Sequence, residues 1–521
     1  VRVADRVSID ATVAEYRPGC LACGASSSAF ANATVTQLVA ATIRVIAQGE
    51  ALPPAVRIGA LRAPPTRIIE NDAMGDVESG GVFDPANDGL DFMESLEGMR
   101  VVFDEPVVVG PTQQRGASRE VAITIDSLAT GRTARGGLLL DPTSIHPDFQ
   151  PERFFLAASN ASWVPLADVG DTLDGDVLGI VDYRYGKYTV ELVAPATRIA
   201  GGLLRESVSL PEPRGRALDL ASFNVENLGG NGSAAKYEAL AVAIVDRLGA
   251  PDLLLLEEVQ DDSGAKDDAV VGASVTAGRL VDAIVAAEGP RYAYQDIDPA
   301  DGLDGGQPGG NIRVAFLYRT DRGLAFVERG AATAQSATHV ITDAEGATTA
   351  LSPGRIDPTN PAFYSSRKPL VGEFRFEGQR LVVIANHWNS KGGDDPAFGR
   401  FQPPRESSEA QRIAQAEVVA RFVEALLAAD PDARIVVAGD MNDFVGSAPL
   451  RRIADAGLSN LYDTIPPEER YSYVYQGASQ ALDHILVSAR LREALVGFDV
   501  VHMNAEFVIR ASDHDPWVAR F

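Results

Sequence analysis

Downstream of residue 217 the chain repeats one pattern: a short, uninterrupted apolar run that stops on a carboxylate, an amide or an imidazole. DLLLL runs into Glu257 and Glu258, LVVIA into Asn386 and His387, and RIVVAG into Asp440 and Asn442. LASF precedes Asn224, ALDHILVS carries Asp483 and His484, and SDHDP sets Asp513, His514 and Asp515 before the last apolar segment. Continuous apolar runs of this kind suit strands covered on both faces. Between them lie AAKYEALAVAIVDRLG and SSEAQRIAQAEVVARFVEALLAA, whose apolar spacing is helical. Strands alternating with helices make an α/β domain, and in such sheets the strand ends and following loops are the usual ligand site.

The first part of the chain follows a different rule. VRVADRVSIDATVAEY, EGMRVVFDEPVVV and REVAITIDSL alternate apolar and polar residues between Gly, Pro and Asp turns, the pattern of half-buried strands. Residues 4–19 have a loose echo in 169–186, which suggests two small barrel-like modules; chance likeness of short strands is the other reading. PEPRGR, residues 211–216, is the linker candidate. The expected division is a β-rich region over 1–210, a linker over 211–216 and an α/β domain over 217–521.

Composition narrows the partners. The net charge of −26 argues against a protein that coats nucleic acid electrostatically, but not against an enzyme that meets a phosphodiester through a metal ion and a few local cations. No run approaches the roughly 18–20 apolar residues of a membrane helix. The chain opens at Val1, consistent with a processed or trimmed product. Cys20 and Cys23 are the only cysteines; a small loop-closing disulfide, suited to an exported protein, and free thiols are the two readings.

Each strand-end motif alone is weak: GDMND could be a capped turn, EE a solvated strand end, SDHDP an exposed turn. Six of a kind in one domain make coincidence a poor account. His387, His484 and His514 fall inside these motifs, whereas His146, His339 and His502 lack comparable neighbours and read as structural. A phosphodiester repels hydroxide, so its hydrolysis needs the phosphate neutralised and water activated together. Carboxylate and amide oxygens suit a hard divalent cation, and histidine can exchange protons near neutrality. Lys391 and Arg313 are candidates to add charge at phosphoryl oxygens, against a surface cation and a strand-edge ion pair. Arg400, Arg405 and Arg412 form a local basic patch. Residues 297–311, rich in Asp and Gly, lack the spacing of an EF-hand and read as a loop.

In order, FNVENL, LLEEV, GGNIRVAFLYR, NHWNSKGG, GDMND, LDHILVS and SDHDP resemble the endonuclease/exonuclease/phosphatase superfamily, the group of DNase I and exonuclease III, over about residues 217–521. FNVENL, GGNIR and NHWNSKGG look most like its secreted bacterial nucleases, which often carry an OB-like β-rich region first. The resemblance implies a DNase I-like four-layered α/β sandwich. It implies Glu258, Asn224 and Asp513 near a metal, with Mg²⁺ expected and Mn²⁺ or Ca²⁺ as alternatives. It gives Asp440 and Asn442 the positioning of water and a phosphate oxygen, His514 the catalytic histidine's place, Asp483 the carboxylate that orients it, and His387 a place near the phosphate. Asn311, Arg313, Asn386, Lys391, Arg400 and Arg405 are the expected substrate contacts. Glu257 departs from the family, where Gln is frequent.

The expected activity is a metal-dependent nuclease acting on DNA, with RNA as a second candidate substrate, secreted or held at a bacterial cell surface or periplasm. A monomer without protein partners is expected. A phosphodiesterase or phosphatase acting on a lipid, inositol or organic phosphate is the alternative, and a catalytically inactive binding protein a third reading.

Overall fold

A computed structural model describes all residues except 21, 22, 25, 26 and 146, so His146 lies outside the described residues. The chain divides into two compact units. One contains Leu204–Gly392, Ser408–Tyr475 and Ser479–Phe521; the other contains Val1–Leu203, Gly393–Ser407 and Gln476–Ala478.

The larger unit is a DNase I-like α/β sandwich. A six-stranded sheet runs in the order Tyr292–Gln295, Arg313–Arg319, Leu253–Val259, Asp219–Leu228, Trp517–Arg520, Gly497–Val500. An eight-stranded sheet has at its centre Leu370–Phe376, Gln379–His387, Ile435–Asp440 and Asp483–Ser488. The apolar runs explain the layering, because alternate residues face opposite sides of a strand. Leu253, Leu255, Phe316, Val383, Ala438 and Ile485 pack together between the sheets. Leu254 and Leu256 face the other way, against Leu240 and Ile284 of the helices Ala234–Val242 and Ser274–Ala286. Val382, Ile384 and Val437 likewise pack under Val419, Val423 and Leu426 of the helix Glu409–Ala429. The order is helix, sheet, sheet, helix.

Register places the polar strand ends side by side. The parallel pair of Gln379–His387 and Ile435–Asp440 sets His387 opposite Asp440, and the antiparallel neighbour sets Asp440 opposite Asp483. In the other sheet Asn224 lies opposite Glu257, after which the pairing slips and resumes at Leu228 opposite Val259. Within that slip Glu226, Asn227 and Glu258 all have positive φ, at 51°, 53° and 62°.

The smaller unit holds a nine-stranded mixed sheet whose longer members are Val107–Arg115, Ser118–Thr124, Lys187–Leu192 and Asp176–Arg184. Its core is built on Phe103, Phe154, Phe155, Tyr183 and Tyr188. The strand Arg6–Tyr16 pairs instead with Val35–Ala47 in a separate two-stranded ribbon. The echo between 4–19 and 169–186 therefore does not mark two copies of one module: one segment lies in the ribbon, the other in the large sheet. The nine strands share one order, β-rich as expected. Cys20 and Cys23 are joined by a disulfide.

Candidate active site

The strand-end residues converge on Asp440, which is 2% exposed. Its Oδ2 accepts from Asn224 Nδ2 at 3.1 Å and lies 3.5 Å from His387 Nε2 and 4.0 Å from His514 Nε2. Asn224 Nδ2 also reaches Glu258 Oε1, at 3.3 Å, and Glu258 Oε1 is 3.9 Å from His387 Nε2. Asp483 Oδ2 lies 2.7 Å from His514 Nδ1 and accepts from Ser472 Oγ at 2.6 Å. Asp483 holds His514 by its Nδ1 edge, which leaves Nε2 facing Asp440.

The loops hold these groups from behind. Asp440 Oδ1 accepts the Asn442 amide at 2.9 Å, and Asn442 adopts φ +50°. Glu258 Oε2 accepts the Asn227 amide at 2.9 Å, tying the two sides of the slipped register. Ser512 Oγ donates to the Asn224 carbonyl at 2.6 Å, and the Tyr473 ring lies 4.7 Å from that of His514.

Charge in the site is unevenly spread. Burial alone would lower His514, but the Asp483 carboxylate, with Asp440 and Asp513, raises it well above the ordinary imidazole value. His387 goes the other way: burial, the Arg367 guanidinium and His514 push it far down, so its ring is neutral. Asp440 is raised by burial and by Asp483 and Glu258, although His514 opposes this. One ligand atom each of Asp440, Asp483 and His514 lie within 4.8 Å of one another. Asp483 and His514 are engaged with each other, so the oxygens of Asp440 and the neighbouring Glu258 and Asn224 are the donors that suit a hard divalent cation.

Several expected substrate contacts are corrected, and Glu257, where the family frequently has Gln, gives the site no ligand: it is fully buried and its Oε1 accepts from Ser222 Oγ at 2.7 Å. Burial first, then Asp483 and Asp440, raise it well above the usual carboxylate range, which leaves it neutral. Gly439 makes room for it, since a Cβ there would lie 2.9 Å from Glu257 Oε1. Asn386 is turned inward, donating to the Ile384 and Ala438 carbonyls and accepting from Trp388 Nε1. Arg313, 1% exposed, is an internal cation paired with Asp296 at 3.1 Å and Asp298 at 2.7 Å. Asn311 is occupied by Asp261, Asp301 and the Gly302 amide.

The expected basic patch is likewise committed. Arg412 is buried against Asp443. In the smaller unit Arg400 pairs with Asp76 and Glu78, and Arg405 with Asp395. These arginines are held by local carboxylates, of which the chain has a surplus, with 72 Asp and Glu against 46 Lys and Arg. Lys391 lies over the Phe444 ring at 4.4 Å. Asp513 is half-buried on the loop before His514. His484 faces away from the site, its Nε2 2.8 Å from the Asp443 carbonyl.

One group escaped the sequence reading. Arg367 is 5% exposed, donates to the Trp388 carbonyl and faces the field of Asp440 and Glu258. Its only signal is SRKPL, a cation before an apolar strand, which is too common a pattern to stand out.

Residues 221–514 match the family described as Endonuclease/Exonuclease/phosphatase family, and residues 57–199 match a Domain of unknown function (DUF8508). No curated protein matches the chain. Among solved structures, a humanized D. rerio TDP2 carrying 14 mutations is 18% identical, with 58% of this chain and 98% of that one covered and a TM-score of 0.37. An endonuclease/exonuclease/phosphatase family protein from Bacteroides thetaiotaomicron is 16% identical over 58% and 97%, at 0.36. A mannosyl-6-phosphatase from Bacteroides thetaiotaomicron VPI-5482 is 17% identical over 58% and 98%, at 0.35. The family match spans more than half of the chain and runs from before Asn224 to His514 itself, so this protein belongs to the endonuclease/exonuclease/phosphatase family.

Proposed function

We propose that the protein is a divalent-cation-dependent phosphodiesterase, an exported nuclease that hydrolyses DNA, with RNA as a further substrate to be tested. The observation that carries this reading is the Asp483–His514 pair, 2.7 Å apart, facing Asp440 beside Asn224, Glu258 and His387. Asp483 orients His514 so that Nε2 exchanges a proton with the water or the leaving oxygen at phosphorus; only the deprotonated ring takes a proton from water, and the neighbouring carboxylates disfavour that form. Asp440 and Asn442 position that water and a phosphoryl oxygen. His387, neutral through burial, can donate a hydrogen bond from Nε2 to the phosphate or the leaving oxygen, and Arg367 adds fixed positive charge behind it. Glu258, Asn224, Asp440 and Asp513 are the oxygen donors available to Mg²⁺, with Mn²⁺ or Ca²⁺ as alternatives. Such an ion, when bound, supplies positive charge that offsets the phosphoryl oxygens and the surrounding carboxylates. The Cys20–Cys23 disulfide supports the exported location.

A second reading, hydrolysis of a small organic phosphate ester, is favoured by one observation. Arg313, Arg400, Arg405 and Arg412 are all paired with carboxylates, whereas a polyanion is usually met by free basic side chains. Incubation with circular plasmid, linear DNA, RNA and a chromogenic phosphodiester, with and without EDTA, separates the two. EDTA-sensitive loss of plasmid supports the nuclease; turnover of the chromogenic ester alone supports the second reading. Activity untouched by EDTA overturns the cation dependence of both.

A further inference from the structure

The smaller unit carries a second concentration of carboxylates, in the loop ENDAMGDVESGGVFDPANDGLD, residues 70–91. One ligand atom from each of Glu70, Asp72 and Asp88 lies within 4.8 Å of the others. Clusters of acids are common on protein surfaces; Asp88 sets this one apart. It is 0% exposed, and neither carboxylate oxygen has a hydrogen-bond partner. It occupies the N-cap position of the short helix Gly89–Glu94, where an aspartate ordinarily accepts a backbone amide. Its side chain makes no such bond. A buried carboxylate with no partner is costly unless something neutralises it.

Among the described residues, no ion pair brings a lysine or arginine to Glu70, Asp72 or Asp88. The other two carboxylates are fixed by the backbone and keep oxygens in place to share. Glu70 Oε1 accepts the amides of Asp72 and Ala73, at 2.9 and 3.0 Å. Asp72 accepts the Val82 amide at 3.1 Å. Gly81, at φ +88°, lets the chain pass so close that a Cβ would lie 2.8 Å from Asp72 Oδ1. The loop is therefore wound around its own acids rather than holding them out to solvent.

We propose that Glu70, Asp72 and Asp88 bind a hard divalent cation, of which Ca²⁺ is the best match, in the smaller unit. All three donors are carboxylate oxygens, and among the described residues no cysteine or histidine joins them. Ca²⁺ holds oxygens at about 2.3–2.6 Å in flexible geometry, so two oxygens on one ion lie up to about 5 Å apart, in keeping with this spacing. In the absence of an ion, burial and the carboxylates of Glu70, Asp91, Asp72 and Asp84 raise Asp88 to about 6. A proton on Asp88 is thus the rival to the cation.

The test uses the full chain, stripped with chelator and titrated with CaCl₂ or MgCl₂, comparing wild type with Asp88→Asn. Calorimetry on wild type is expected to find one more Ca²⁺ bound than on the variant. A hundredfold excess of Ca²⁺ over its dissociation constant should raise the unfolding temperature of this unit by roughly 5–10 °C, and Asp88→Asn should abolish that rise. Without calcium, Asp88→Asn should unfold at a higher temperature than wild type, because it removes the uncompensated charge. Equal calcium binding and equal shifts in the two proteins overturn the proposal in favour of the proton. So does a wild-type rise produced by Mg²⁺ and not by Ca²⁺, for the choice of ion. If Asp88→Asn does not fold, Glu70→Gln is read in the same way.

Discussion

Asp483 and His514 form a pair whose function depends on one proton. Asp483→Asn keeps the shape but offers an amide where the Nδ1 proton needs an acceptor, favouring the wrong tautomer. Turnover is expected to fall by about 10³–10⁴-fold while substrate affinity changes little. His514→Ala should cost about 10²–10⁴-fold. Steady-state kinetics on plasmid DNA at several pH values checks both. An unchanged kcat in either would remove the assignment. Glu257 makes the contrasting case. Because its buried carboxyl is neutral and bonded to Ser222, Glu257→Gln should retain wild-type turnover and fold. A large loss would mean that its charge matters. The motif order singled out Asp483, His514, Asp440 and Glu258, and the structure brings them together. Residue type could not tell which of Glu257 and Glu258 faces the site, because the answer lies in a φ of +62° at Glu258.

At the scale of elements, the apolar runs announced the strands and their period of two announced both faces. What they could not announce is the slip between the strands Asp219–Leu228 and Leu253–Val259, which turns Asn224 and Glu258 toward one point. Arg313 and Asn311 were misread for a related reason: a polar residue at a strand end can serve a ligand or brace a loop, and only the tertiary partners decide. His502 was read as structural, and it braces the loop that carries His514. Its ring stacks on Tyr471 at 3.9 Å, with Nδ1 3.2 Å from Asp515 and Nε2 3.3 Å from Glu469. Asp515 in turn accepts the amides of Met503, Asn504 and Ala505. Burial opposes the charge on His502, but Asp515 and Glu469 raise it to about 10. The folded state therefore holds this proton more tightly than the unfolded chain does. The stabilisation is complete below about pH 6.5 and is lost as pH climbs through about 10, with a slope of up to about 1.4 kcal/mol per pH unit. Urea unfolding from pH 6 to 10 should show this decline in wild type and a flatter one in His502→Gln. Parallel curves would remove the role of His502.

At the scale of the whole molecule, the sequence suggested a cut at 211–216 with all of 217–521 in the catalytic domain. The chain is less linear than that, because Gly393–Ser407 belongs to the smaller unit. Phe398 is 2% exposed in that unit's core, and its carbonyl accepts from Tyr183 Oη at 2.9 Å. Phe401–Gln402 pairs with Gly75–Asp76, and the rings of Phe30 and Phe401 lie 5.9 Å apart. No composition shift marks this excursion, since FGRFQPP reads as an ordinary polar loop with aromatic residues. A fragment of residues 217–521 would keep Phe398 and Phe401 while losing Tyr183, Tyr188 and Phe30, exposing apolar surface that burial otherwise removes from water. Limited proteolysis should cut that fragment within 393–407 and leave the same segment of the full chain intact. Replacing 393–407 by a short Gly/Ser linker in the fragment should recover soluble yield, because the stranded aromatics are then gone. Equal protection of 393–407 in fragment and full chain would show that the segment packs without residues 1–203, and that the cut suggested by composition is the physical one.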